Sequence, residues 1–143
     1  MIIDKIKNLL SNEIGLPFLY ESSSVANVKL DRVTEWPISL LLTVTDYQVD
    51  NSKNTMRETA DISLFFLDRP ERNRIDYDTT YCQEIIDRMK NYALQFISDV
   101  NTDKDITFDQ SSLSIKAIVD YDDANVVGVC LQCRVREVVG CLI

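Results

Sequence analysis

Hydrophobic residues recur in the first segment at Ile2, Ile6, Leu9, Leu10 and Ile14, close to a 3.6-residue period. That spacing predicts an amphipathic helix from Ile2 to about Glu13. Gly15 can take the left-handed conformation of a helix C-cap, and Pro17 stands just past it. Residues 16–34 space Phe18, Tyr20, Val25, Val28 and Leu30 for extended chain, but Ser22, Ser23 and Ser24 interrupt them. A strand, a hairpin and a long loop all fit that stretch.

From Ile38 the pattern changes to strict alternation. Ile38, Leu40, Leu42 and Val44 share one phase, and Thr45, Tyr47 and Val49 take the other. This predicts a strand from Ile38 to Val49 with a bulge, or a strand that leaves its sheet part-way. The polar stretch from Asp50 to Thr55, within a loop over 50–58, then joins it to a second strand carrying Ala60, Ile62, Leu64 and Phe66. A mixed-charge connection follows over 68–78.

Cys82, Ile85, Ile86, Met89, Ala93, Phe96, Ile97 and Val100 then form one continuous helical stripe. Thr80 followed by Gln83 fits a capping box, and Asp78 suits the positive end of the helix. Such a stripe normally buries against the protein's own sheet; a groove for a partner is its other use. After an acidic loop, Leu113, Ile115, Ala117, Val119 and Tyr121 alternate. They are followed by the turn Asp122-Asp123-Ala124-Asn125 and by Val127, Val129, Leu131, Cys133 and Val135, which alternate again. This is the pattern of a hairpin. The expected fold is therefore α+β: one domain over residues 1–143, with a mainly antiparallel sheet of four to five strands, one long helix covering it, and an N-terminal helix.

Composition narrows the function more than it names one. The 143 residues carry a net charge of −8, no histidine, three glycines and four cysteines. Without histidine the commonest general acid/base is missing, and Ser-His or Cys-His nucleophile pairs cannot be built. Gly15, Gly128 and Gly140 are too scattered for a phosphate-cradling or dinucleotide-binding loop. The acidic balance argues against a sequence-independent grip on nucleic acid and against an anionic membrane. No apolar run reaches the roughly 20 residues of a membrane span, and Met1–Lys7 lacks the form of a signal peptide. The expected place of synthesis is a cytosol, or a particle assembled there, where the cysteines stay thiols.

Three constellations invite chemistry. Cys130 and Cys133 form a C-x-x-C, but both sit inside a strand pattern, about 10 Å apart on opposite faces. They cannot share a metal there, nor do they open a helix as a redox pair does. Cys133 follows the inward phase and Cys130 the outward one. The acidic run from Asp120 to Asn125 lacks the glycine and glutamate of a calcium loop, since Asn125 and Leu131 stand in their places. Asp46, Asp61 and Asp68 could supply a carboxylate pair, which has no signature in sequence alone. No catalytic, cofactor or metal residue is assigned. Trp36-Pro37 reads equally as an interface anchor and as a lid on a core. The loop over 50–58 is long for a hairpin, as loops that reach a neighbouring subunit are.

In the order of its elements the chain resembles the tail-terminator and tail-completion (neck, head–tail joining) proteins of tailed bacteriophages. The stretches that carry the likeness are Met1–Ile14, Ile38–Leu67 with its 50–58 loop, Thr79–Val100 and Leu113–Val138. The resemblance implies a non-enzymatic virion protein, assembled in the host cytoplasm into a hexameric or dodecameric ring. It implies neighbouring neck, tail or portal proteins as partners, no membrane, no cofactor, and passage of DNA without specific binding. An acidic lumen would serve that passage, because like charge keeps the duplex from sticking. The interface residues expected from this reading are Trp36, Lys53, Asn54, Met56, Arg57, Asp122 and Asp123. The alternative is an acidic protein-binding module, an inhibitor or adaptor, acting as monomer or dimer.

Overall fold

A computed structural model describes residues 2–22, 30, 32–52, 55–70, 79–103, 105–120 and 126–141. Helix α1 (Ile2–Asn8) runs into a π-helical turn over Leu9–Ile14. It stops at Gly15, whose φ of 84° is left-handed and whose N–H reaches the Leu10 carbonyl. Strand β1 (Phe18–Glu21) follows, then β2 (Ile38–Leu42), β3 (Tyr47–Ser52) and β4 (Thr55–Asp68). The long helix α2 spans Thr79–Thr102. Strand β5 (Ile106–Phe108), a 3-10 turn (Gln110–Ser112), β6 (Ser114–Asp120) and β7 (Val126–Cys141) complete the chain.

All seven strands form one sheet, antiparallel except where β1 meets β2. Its spine is the pairing of β4 with β7, in register from Thr55↔Cys141 to Asp68↔Val127. Both strands outrun their neighbours, so each outer edge of the pair carries two strands end to end. β2 and β3 lie along β4, and β6 and β5 along β7. The α+β class with a helix-covered, mainly antiparallel sheet is as the sequence predicts. The strand count rises to seven because β1 and β3 form separate strands and three residues pair as β5.

One face of the sheet holds the main core. Helix α2 turns Cys82, Ile85, Met89, Ala93, Phe96 and Val100 onto it, all buried. Ile86 and Ile97 pack at its margin. The stripe is thus used within the protein. Phe66, Phe96 and Phe108 meet in its centre, with ring centroids 6.5 and 6.1 Å apart. An ion pair from Arg88 to Asp68 (2.9 Å) ties the helix to the end of β4, and one from Lys5 to Asp105 (2.7 Å) ties α1 to the turn before β5.

A second, smaller core lies on the opposite face. Ile38, Leu67, Val126 and Leu30 are buried there, with Leu19, Val33, Trp36 and Phe65 packed around them. This corrects the expected one-sided alternation in β2. Ile38, Ser39, Leu40 and Leu41 are all buried, because β2 is covered on both faces at this end. The expected single strand Ile38–Val49 is also broken. Residues 43–46 separate β2 from β3, and each pairs with a different stretch of β4. The capping box is not formed: the helix begins one residue before Thr80, and Gln83 donates forward to Asp87 (2.9 Å). Asp78 lies outside the described residues.

Gly128 stands where β7 passes Leu67 of β4. A Cβ at that position would fall on the Phe66 carbonyl oxygen and 2.9 Å from its carbon. Backbone cannot swing aside as a side chain can, so Gly128→Ala should destabilise the fold by about 1–3 kcal/mol. Urea unfolding followed by circular dichroism checks this, and an unchanged midpoint would show that the strands are not this close.

Candidate subunit interface

The long β4–β7 pair continues past the two cores into a four-stranded end made of β3, β4, β7 and β5. Two neighbouring pairs of opposite charge mark it, Arg57-Glu58 on β4 and Arg136-Glu137 on β7. Adjacent residues in a strand point to opposite faces. The register sets Glu58 across from Glu137, Thr59 across from Arg136, and Arg57 across from Val138. Residues directly opposite share a face. Both glutamates therefore lie on the face that carries the main core, and both arginines on the other. Along β7 the register shifts between Met56 and Arg57, skipping Val139 in a bulge.

The acidic face also carries Tyr47 and Val49, which are 43% and 60% exposed. A cleft of about 200 Å³ opens there between Ile2, Ile3, Tyr47 and Glu58. Burial, and then the neighbouring Tyr20 and Glu58, push the Tyr47 hydroxyl above its ordinary pKa. Glu137 is only 5% exposed, and its Oε2 has no hydrogen-bond partner. The field of Glu137 reaches Lys5, but the Lys5 ammonium is committed to Asp105. That bond raises the lysine's pKa and lowers the aspartate's.

On the other face Asp50 of β3 stands directly across from Arg57, and Arg134 is engaged by Asp61 (3.0 Å) and Asp109 (3.7 Å). The Asp109 carboxyl is held low first by its hydrogen bond from Ser111, and further by Arg134 and Arg136. Arg57 and Arg136 are in no ion pair among the described residues. Val138 beside them is 46% exposed. A second cleft of about 230 Å³ on this part of the sheet is lined by Asp61, Ile62, Ser63, Ser112, Gln132 and Cys133. Both clefts fall below the roughly 300–1,000 Å³ of a small-molecule site. Among the described residues no group of three His, Cys, Asp or Glu could hold a metal ion.

The residues expected at an interface fare unevenly. Met56 and Arg57 do lie at the far end of the sheet, but inside β4 and not in a loop. The expected loop over 50–58 is two paired strands with only Lys53 and Asn54 between them. Its polar residues gave no hydrophobic period, because both faces of this end meet solvent. Lys53, Asn54, Asp122 and Asp123 lie outside the described residues. Trp36 is half-buried over the second core. Its Nε1 donates to the Val33 carbonyl (3.3 Å), and the Arg69 guanidinium stacks 4.7 Å from its ring. Its place is that of a lid. Glu58, Arg136, Glu137 and the exposed Tyr47, Val49 and Val138 were not expected. Reading residues 50–58 as a loop hid the two-faced Arg57-Glu58 pair, and only the register shows that Glu58 stands across from Glu137.

Cys130 and Cys133 do face opposite sides of the sheet, as expected. Both are buried, so the outward phase of Cys130 leads into cover and not into solvent. Burial pushes the Cys130 thiol up to about 11 and the Cys133 thiol up to about 12. Since the thiolate is the reactive form, native protein at pH 8 should leave both unalkylated by iodoacetamide, with full labelling once urea opens the sheet. Peptide mapping by mass spectrometry reads the result, and rapid native labelling of either would contradict this burial.

No protein-family model matches the chain, and no curated protein matches it.

Proposed function

We propose that the protein is a non-enzymatic structural subunit that assembles into a ring in the neck or tail of a tailed bacteriophage, as a tail terminator or head–tail joining protein. The observation that carries this reading is the far end of the sheet. It exposes Tyr47, Val49 and Val138 beside the charged side chains of Asp50 and Arg136, and β3 pairs with β4 alone among the described residues. Exposed apolar side chains ringed by charge mark contact surfaces, and an open strand edge invites further pairing. The organisation of the chain supports the same reading, with a long hairpin beside a helix-covered sheet and a second hairpin after the helix. The net charge of −8 suits a ring through which DNA passes without adhering.

An acidic monomeric or dimeric binding module is the second reading, favoured by the same net charge. Oligomeric state separates the two. Native mass spectra of the purified protein over a wide concentration range should show a closed hexamer or dodecamer with few intermediates. A monomer or dimer at every concentration would move the assignment to the binding module.

A further inference from the structure

We infer that successive subunits join edge to edge, strand β3 of one copy adding to strand β6 of the next, antiparallel and in the register that sets Tyr47 across from Val119 and Asp50 across from Lys116. The assignment rests on the ring reading and names its contact.

Among the described residues β3 pairs with β4 alone and β6 with β7 alone, at opposite margins of the sheet. With six and seven residues they are the longest strands at its edges, against four in β1 and three in β5. An edge strand presents a row of unpaired N–H and C=O groups, and short strands, prolines and lysines are the usual guards against pairing there. β3 is long and has neither residue, and Tyr47 to Asn51 are all exposed.

The strand directions suit a head-to-tail addition. β3 runs antiparallel to β4, β7 antiparallel to β4, and β6 antiparallel to β7. β3 and β6 therefore run in opposite directions within one sheet. A second copy set beside the first, with its helix on the same side, brings its β6 antiparallel to β3.

The side chains fix the register. On the helix-covered face β3 exposes Tyr47 and Val49, in line with the buried core residue Ala60 across from Tyr47. On the same face β6 exposes Ala117 and Val119, across from the core residues Val129 and Val127. Val119 is 39% exposed. On the opposite face lie Asp50, across from Arg57, and Lys116, across from Cys130, both exposed. Aligning Tyr47–Ser52 along its whole length with Ser114–Val119 sets Tyr47 against Val119, Val49 against Ala117 and Asp50 against Lys116. Apolar residues meet on one face and opposite charges on the other, which are the favourable cross-strand pairs. Lys116 is in no ion pair within its own chain among the described residues. Asp50 then stands between Arg57 of its own sheet and the lysine of the next copy. A slip of one residue would put Tyr47 and Val119 on different faces, and a slip of two would part Asp50 from Lys116.

Each copy gives β3 to one neighbour and β6 to the other. Such a contact is heterologous, and it repeats until rotation closes it into a ring.

Charge exchange tests the register in the full chain, by native mass spectrometry over a concentration series. Lys116→Asp sets two aspartates against each other, and Asp50→Lys two lysines. Each alone should need at least about tenfold more protein to assemble than the wild type. Asp50→Lys with Lys116→Asp in one chain restores the opposite pair and should assemble within about threefold of the wild type. Thermal melting by circular dichroism checks that each variant is folded. Asp50→Lys also faces Arg57, so if it is not folded, Val49→Lys and Ala117→Glu, alone and together, take its place with the same pattern expected. Rings that persist undiminished in the single variants would overturn this contact and leave the ring reading intact. Loss in the single variants without recovery in the combined one would overturn it too. Open chains that are lost and recovered in this pattern, with no closed ring from any protein, would uphold the contact and overturn the ring reading. A dimer and nothing larger would overturn the contact, because a heterologous pairing leaves an open edge at either end. Monomers throughout would overturn it as well.

Discussion

The pairing of β4 with β7 is the constraint on which the rest of the structure depends. These two strands run side by side from Thr55↔Cys141 to Asp68↔Val127, longer than any other pair in the sheet. A two-stranded ribbon is not stable in water alone and needs a packed face or further strands. Here each end of the ribbon is secured differently. At one end β1, β2 and β6 widen the sheet, and both faces are covered, by α2 on one side and by the segment around Leu30 and Trp36 on the other. At the other end β3 and β5 widen it. There α1 reaches one face, while Arg57, Arg134 and Arg136 line the opposite one together with Asp50 and Asp61. The well-buried end anchors the ribbon, and the lightly covered end presents it.

That division also sorts the charges of the far end between the two faces. The net charge describes the whole chain, but a strand sorts its residues by parity. Arg57-Glu58 and Arg136-Glu137 are each neutral as dipeptides, and the sheet separates them into two layers of opposite sign. Ion pairs tie down other charges nearby, Lys5 with Asp105 and Arg134 with Asp61. These exposed pairs contribute little to stability.

Elements with one buried face were legible from the chain. The stripe from Cys82 to Val100 gave α2 because a helix on a sheet buries one side only, which imprints a 3.6-residue period. The β6–β7 hairpin was legible for the same reason, with a period of two. Where both faces are covered, as in β2, the alternation carries no direction, and Ile38 and Leu41 could not be assigned to their different cores. Where both faces meet solvent, as in β3 and the start of β4, polar residues hide a strand and it reads as a loop. Strand β5 pairs only three residues, too few for a period to register.

The sequence by itself determined the local elements: the helix lengths, the stop at Gly15, the C-terminal hairpin, and the fact that neighbouring Arg and Glu would part company in any strand. Only the tertiary structure decided which of those charges would meet. β4 and β7 are separated in the chain by the whole of α2, so their register is fixed by long-range burial on the helix-covered face and not by a turn between them. A slip of one residue would set Glu58 beside Arg136. The packing of Phe66, Val129 and Leu131 against α2 forbids that slip, and so places the two glutamates together and the two arginines behind them.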